Sequence, residues 1–547
     1  MEIVLKKNRL IILLSIICIA FILRFYQLGQ NPPSLDWDEA SLGYNAYSIL
    51  KTGADEYGNK FPSSFRSFDD YKPPLYVYLS VPSVYVFGLN EFSTRFISAF
   101  FGFLTVILTY FLVKTLLKPV NNVNDIALLS SFLLAISPWH IQFSRAAFEA
   151  NVGLFFFVGG VLFFLKAIHN GKLFLLSFFL FSLSLYSYHS TRLVIPLFLL
   201  GLSLYLRNKL WLQRKYFLLA FIFLLILCIP LFKSFLSEKS GASRLSSVTI
   251  LKPTGTLDHS ITEIQLDKKN GDKIGEILHN RRIVYFLAIT KGYLDHLNPD
   301  FLFIHGDGVM RHHPVDFGML YLFELPFIIF GIHLLLQEKI DGRFIIFWWF
   351  LVAPIASAIS SGTPHPVRAL LYLPTFQIFT SIGIFRFFKA SSSIKFKHLA
   401  YVLFVSLFSL NFIYYLHQYY VHTPVEYSSG WQYGYREVFK ELAVLEPKYK
   451  KIIVTYKYDQ PYILYLFYNK IDPSWYQKNW DFLKNGSVER DSRIIGKYEF
   501  RNINWNEDRK LDKTIIVGTS GEIPSNVSST QEVKFLDGSI AFKIVAR

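Results

Sequence analysis

A chain of 547 residues with 52% hydrophobic content, 18% aromatic content and only 18% charged residues is too apolar for an ordinary soluble enzyme. The formal charge of +16 invites a nucleic-acid reading, but the basic residues cluster at the ends of apolar runs, as in the cytoplasmic loops of a membrane protein, so no nucleic-acid partner is expected. The two cysteines, Cys18 and Cys228, both sit inside apolar runs and form neither a metal-ligand spacing nor a disulfide framework.

Lys6, Lys7 and Arg9 precede an apolar stretch reaching Leu28. This has the outline of a signal peptide without a small-residue cleavage site, and reads as a retained first helix with a cytoplasmic N-terminus. Apolar runs of the length that crosses a bilayer recur to about residue 417. They predict eleven spans, near 9–28, 95–117, 124–140, 150–168, 172–188, 192–206, 215–235, 316–336, 343–361, 367–388 and 398–417. The short run 74–89, which contains Pro82, is placed in the interface. With that choice the basic groups at Lys114/Lys118, Lys166/Lys172, Arg207/Lys209, Lys339/Arg343 and Arg386/Lys389 all fall on the cytoplasmic side.

The outward segments are then 29–94, 141–149, the turn near 189–191, 236–315, the turn near 362–366 and everything after 417. In the longest internal one, Ile283, Phe286, Leu287, Thr290, Leu294 and Leu297 have helical spacing and predict an amphipathic surface helix within 277–297. Beyond 417, strands are predicted at Ile452–Tyr456, Thr514–Gly518 and Ala541–Val545, with a helical stretch near Gln460–Tyr468. The expected architecture is an α-helical polytopic membrane domain, 1–417, followed by a small soluble α/β extracytoplasmic domain, 418–547.

The first outward loop concentrates acids and aromatics: Asp36-Trp37-Asp38-Glu39, Gly43-Tyr44, and Asp69-Asp70-Tyr71-Lys72-Pro73-Pro74. Asp36 or Asp38 can cap a helix running to Leu50, and Pro73-Pro74 can open the next segment. The second outward loop carries Arg145 and Glu149; the latter can serve a helix dipole or, with an acid of the first loop, form one reactive surface. His189 with Arg192, and His365 with Arg368, repeat a cationic pairing at two further turns. Each pair can snorkel to head groups or hold a phosphate, for which the planar, permanently charged guanidinium is suited.

Trp37-Asp38-Glu39, Tyr71-Lys72-Pro73-Pro74-Leu75-Tyr76 and the Arg145…Glu149 segment, in that order, resemble the protein O-mannosyltransferase and lipid A aminoarabinose transferase superfamily of the glycosyltransferase-C fold, over roughly residues 1–390. The resemblance implies a membrane glycosyltransferase that uses a polyprenyl-phosphate sugar, with Asp38, Glu39 and Glu149 as catalytic carboxylates and Lys72 as the lysine of the Lys-Pro-Pro motif. The stretch Asn298-Pro299-Asp300…His305-Gly306-Asp307…Arg311-His312 resembles bacterial members, in which the long loop helps to cover the site; it implies no individual roles. Ser41-Leu42 stand where the aminoarabinose enzymes have an Arg-Tyr pair, and no large inserted domain occupies 236–315.

A phosphate-linked sugar already has a good leaving group, so the site needs cations for the departing phosphate and a base for the acceptor hydroxyl. Asp38 is the expected base, working by position because an ordinary aspartate is weak. Glu149 is expected to orient acceptor or sugar. Lys72, Arg192 and Arg368 are expected at the phosphate, and Tyr44, Tyr71, Arg145, His189 and His365 in the surrounding binding surface. A divalent cation between Asp38 and Glu149 is the second reading, with no cofactor the first. The acceptor is a protein, a lipid or a glycan. The alternative function, a transporter or flippase of lipid-linked sugars, calls for mid-membrane ionisable groups and internal repeats.

Overall fold

A computed structural model of the chain describes residues 2–68, 70–118, 122–236, 255–338, 340–390, 397–482 and 493–547. Asp69, the side chain of Asp70, residues 237–254 and Lys339 among the expected features lie outside that description.

Each of the eleven predicted spans corresponds to helix. Among the described residues, six helices are long and apolar enough to cross a membrane: those including Asn8–Phe25, Glu91–Leu116, Glu149–Ala167, Arg214–Lys233, Leu370–Lys389 and His398–Glu426. A seventh results if Val123–Ile136 and Pro138–Arg145, which meet at 53°, form one broken span. Pro138 opens the second piece, where its missing N–H costs nothing. The other apolar helices are shorter. Two predicted starts move: 316–323 is irregular and the helix is Glu324–Gln337, while 367–369 is turn and a short 3-10 helix, Leu370–Tyr372, leads into the α-helix Thr375–Ala390. Phe317 and Tyr321 are nevertheless buried, packed on Tyr415 at 5.3 and 5.8 Å between ring centres; burial made these residues look like span. The interfacial run forms Leu75–Phe87 with Pro82 inside; thirteen residues rise about 20 Å, short of a hydrocarbon core of about 30 Å.

The helices pack through aromatics and small residues. Phe157 sits 4.8 Å from Trp349 and 5.2 Å from Phe198. Where Glu324–Gln337 crosses Thr375–Ala390, Gly331 and Gly383 face each other's helices: a Cβ on either would come within 2.0 Å of the Phe379 carbonyl or 2.1 Å of the Phe327 carbonyl. Small residues let such backbones approach. In contrast, Leu218, Leu219, Ile222, Leu225 and Ile226 on the helix Arg214–Leu236 are exposed, as a lipid-facing surface requires.

The C-terminal region builds a seven-stranded sheet. Its order is Trp480–Phe482, Arg493–Ile495, Tyr498–Phe500, Lys451–Val454, Thr514–Gly518, Ile540–Ala546 and Gln531–Lys534. Lys451–Val454 runs parallel to both neighbours and the remaining pairs are antiparallel. The helix Pro461–Tyr468 lies between the first two predicted strands in sequence. This region shares one hydrophobic core with the first loop: Leu42, Tyr44 and Tyr76 bury with Tyr462, Leu466 and Phe467. Arg493 is clamped there, 3.6 Å over the Tyr462 ring, donating at 2.8 Å to the hydroxyls of Tyr476 and Tyr57. The helix Pro461–Tyr468 and the strand Arg493–Ile495 thus rest directly on the acid-rich loop.

Candidate active site

The helix Trp37–Thr52 begins where Asp36 caps it, its carboxylate accepting from the Glu39 N–H at 2.8 Å. The capping reading of Asp36 holds, and the residue does more: it pairs with Arg311, whose guanidinium lies 4.3 Å over the Trp37 ring. The first turn therefore ties the first loop to the distant 304–323 segment.

Asp38 and Glu39, though adjacent, enter opposite environments. Glu39 is 3% exposed and holds Arg95 with both oxygens, at 2.9 and 2.8 Å, while also accepting from the Ala147 N–H at 2.8 Å. Arg95 in turn donates to the carbonyls of Leu28, Pro32 and Ser34. Glu39 was expected to be catalytic; its oxygens are instead consumed in joining the first loop, the second loop and the helix Glu91–Leu116. Asp38 has a side chain 48% exposed, with Oδ1 2.7 Å from Lys72 Nζ. Lys72 also donates to the Asp38 carbonyl at 3.2 Å. Burial works against the Lys72 charge, but the carboxylates of Asp38 and Glu149 outweigh it and raise its pKa above the ordinary lysine value. Glu149, the first residue of its helix, thereby belongs to the same electrostatic cluster.

The turn carrying His189 joins them. His189 Nε2 is 3.0 Å from the Tyr71 carbonyl, which can only accept, so that nitrogen bears the proton and Nδ1 accepts from Arg192 at 3.1 Å. Tyr71, Lys72, His189 and Arg192 are thus contiguous. The second cationic turn lies on a neighbouring arm. Arg368 donates to Ser360 Oγ at 2.6 Å and the Ser361 carbonyl at 2.8 Å, and the His365 ring is 5.1 Å from that of His312. His312 Nδ1 lies 2.7 Å from Asp307 Oδ2. Burial, reinforced by nearby cations, holds His312 and His365 well below the usual histidine range, and burial pushes Asp307 up to about 7. Arg311, His312, His365 and Arg368 therefore form a rim running from Asp36 to the 360–368 turn.

Two expected binding residues are placed elsewhere. Tyr44 is fully buried and donates to the Ile471 carbonyl at 3.1 Å; it seats the C-terminal region. Arg145 is fully buried, donating to Tyr419 Oη at 2.9 Å and to the carbonyls of Leu23 and Asn31 at 3.1 and 2.9 Å. Both face protein, so neither lines the open part of the site. Sequence reasoning missed Arg95 at the start of a predicted span and gave no role to Arg311; an arginine entering an apolar helix was the available signal for the first.

Helices ending in a shared layer of acids and cations, capped by a sheet resting on the first loop, give the molecule a fold of the glycosyltransferase-C type. Within it, residues 71–232 match the family described as dolichyl-phosphate-mannose-protein mannosyltransferase. The fold is similar to that of ArnT from Cupriavidus metallidurans bound to undecaprenyl phosphate, at a TM-score of 0.53 and 10% identity, covering 97% of each chain. The oligosaccharyltransferase of Archaeoglobus fulgidus, tethered with an acceptor peptide, matches at a TM-score of 0.49 and 14% identity, covering 85% of this chain. This chain spans only 63% of that protein. The S. cerevisiae protein O-mannosyltransferase Pmt1-Pmt2 complex bound to the sugar donor matches at a TM-score of 0.32 and 19% identity, over 42% of this chain and 33% of that one. No curated protein aligns with the sequence. This fold agrees with the resemblance carried by Trp37-Asp38-Glu39 and Tyr71-Lys72-Pro73-Pro74.

Proposed function

We propose that this chain transfers a sugar from a polyprenyl-phosphate carrier to an acceptor hydroxyl of a protein, lipid or glycan on the extracytoplasmic face of the cell membrane, with inversion at the anomeric carbon. The observation that carries this reading is the Asp38–Lys72 pair: a half-exposed carboxylate 2.7 Å from a buried ammonium, with Glu149 in electrostatic reach. The match of residues 71–232 to the mannosyltransferase family and the fold shared with an undecaprenyl-phosphate-binding protein support it.

In the resting site Lys72 neutralises Asp38. An arriving donor phosphate competes for the ammonium and frees the Asp38 carboxylate for the acceptor. The acceptor oxygen then bonds to the anomeric carbon as the bond from that carbon to the phosphate oxygen breaks. The hydroxyl proton passes to Asp38, and the negative charge that develops on the phosphate is met by Lys72, with Arg192 and Arg368 as further cations. Glu149 orients the acceptor or sugar. The scheme uses no divalent cation, since the Lys72 ammonium supplies positive charge beside Asp38.

The test is transfer of radiolabelled sugar from synthetic polyprenyl-phosphate donors to membrane extract by the purified chain, with and without chelator. Transfer that is lost in Asp38→Asn and insensitive to chelator supports the scheme. Labelled lipid that crosses reconstituted vesicles without donor consumption would replace it with transport.

A further inference from the structure

Two of the helices that begin at the carboxylate site end together in a second feature. Glu91–Leu116 starts beside the Glu39–Arg95 pair and Glu149–Ala167 starts with Glu149 itself. Nineteen residues of the second helix rise about 28 Å, so their far ends lie at the opposite boundary of the helical layer. There they border a cavity of about 1110 Å³. Lys114 and Lys118 at the end of the first helix, Lys166 at the end of the second and Lys209 from a third segment converge on it, with His169 beside them, and Asp341 is the one carboxylate among the lining residues. Among the described residues none of the four lysines has a carboxylate partner within ion-pair distance. Lys114 and Lys166 lie instead over the rings of Tyr110 and Phe163, 5.9 and 5.4 Å from the ring centres, within cation–π reach.

The remaining wall is apolar and includes Phe111, Leu165, Ile168 and Ile345. The short connection before the helix Arg343–Val352 closes one side: a Cβ on Gly342 would come within 2.3 Å of the Leu116 carbonyl. Lysines at helix ends alone serve as a topology signal and need no cavity. Four of them around a half-open, largely apolar-walled space at one end of the helical layer is the arrangement that accepts an anionic head group with the start of its chain.

We infer that this cavity is a second binding site, distinct from the Asp38 site, for a phosphate-bearing ligand, with an anionic lipid as the fitting source: its head group meets the lysines and its first chain carbons meet the apolar wall. The site makes no use of Asp38 or Lys72 and stands whether or not sugar transfer is found.

Native mass spectrometry of the detergent-purified full chain, incubated with phosphatidylglycerol or phosphatidylcholine, tests this. Wild type is expected to retain phosphatidylglycerol at least tenfold more than phosphatidylcholine. The triple variant Lys114→Gln, Lys166→Gln, Lys209→Gln is expected to lose that preference, and the corresponding triple Lys→Arg variant to keep it. Millimolar inorganic phosphate separates the sources: displacement of the lipid assigns the site to soluble phosphate, and undisturbed retention assigns it to the lipid head group. Equal retention of both lipids by wild type, or an unchanged preference in a folded Gln variant, overturns the site.

Discussion

Glu39→Gln and Asp38→Asn each remove one charge from neighbouring residues, and the structure assigns them opposite consequences. Glu39 is 3% exposed and Arg95 fully buried, joined by two hydrogen bonds of 2.9 and 2.8 Å. In Glu39→Gln the guanidinium loses its counter-charge without regaining water, and breaking a buried pair from one side costs about 3–5 kcal/mol. Asp38 is about half exposed, so solvent discounts its pairing with Lys72 and the stability cost of Asp38→Asn is about 1 kcal/mol or less. Its effect falls on the reaction: loss of a positioned base lowers turnover roughly 10²- to 10⁴-fold. Unfolding of the detergent-purified variants, followed by tryptophan fluorescence, and donor turnover on the same preparations measure the two quantities. A Glu39→Gln protein as stable as wild type, or an Asp38→Asn protein of wild-type stability and full turnover, would refute the division of labour.

Lys72→Met is expected to raise KM for the donor and lower kcat/KM roughly 10- to 100-fold, the worth of a charge-assisted hydrogen bond, with Lys72→Arg partly restoring it; steady-state kinetics against donor concentration decide. Arg311→Ala leaves the Asp36 carboxylate, 3% exposed, without its partner, so it is expected to destabilise by about 3–5 kcal/mol and the double variant with Asp36→Asn by less, measured by the same unfolding assay. Glu56 is fully buried, and burial pushes its carboxyl up to about 7 although Arg493 pulls the other way. Its folded pKa lies above its ordinary value of 4.5, so the folded state holds the proton more tightly and stability falls as pH rises from about 4.5 to about 7. At about 1.4 kcal/mol per pH unit the contribution reaches roughly 3 kcal/mol; unfolding midpoints between pH 5 and 8 are expected to show it in wild type and to lose it in Glu56→Gln.

Much of the helical architecture was legible in the sequence because bilayer-length apolar runs must satisfy their backbone groups internally, and helix does this with local contacts alone. The cap at Asp36 was legible for the same reason: it depends on an N–H three residues away. The acid and lysine motifs could be gathered into one candidate site, and the glycosyltransferase-C fold was expected from their order. What each acid does was decided by tertiary structure. Asp38 and Glu39 are adjacent, yet successive helix positions diverge by about 100°, and only the position of Arg95, 56 residues from Glu39, makes one of them scaffold. Arg145 and Tyr44 read as exposed polar residues near a surface; the packing of Tyr419 and Ile471, more than 270 and 420 residues distant, buried them. The three-residue strands Trp480–Phe482, Arg493–Ile495 and Tyr498–Phe500 are too short to show alternation and exist through pairing across the sheet. Local chemistry and run length determined which helices form and which residues are candidates; long-range burial, which no local pattern encodes, selected among the candidates.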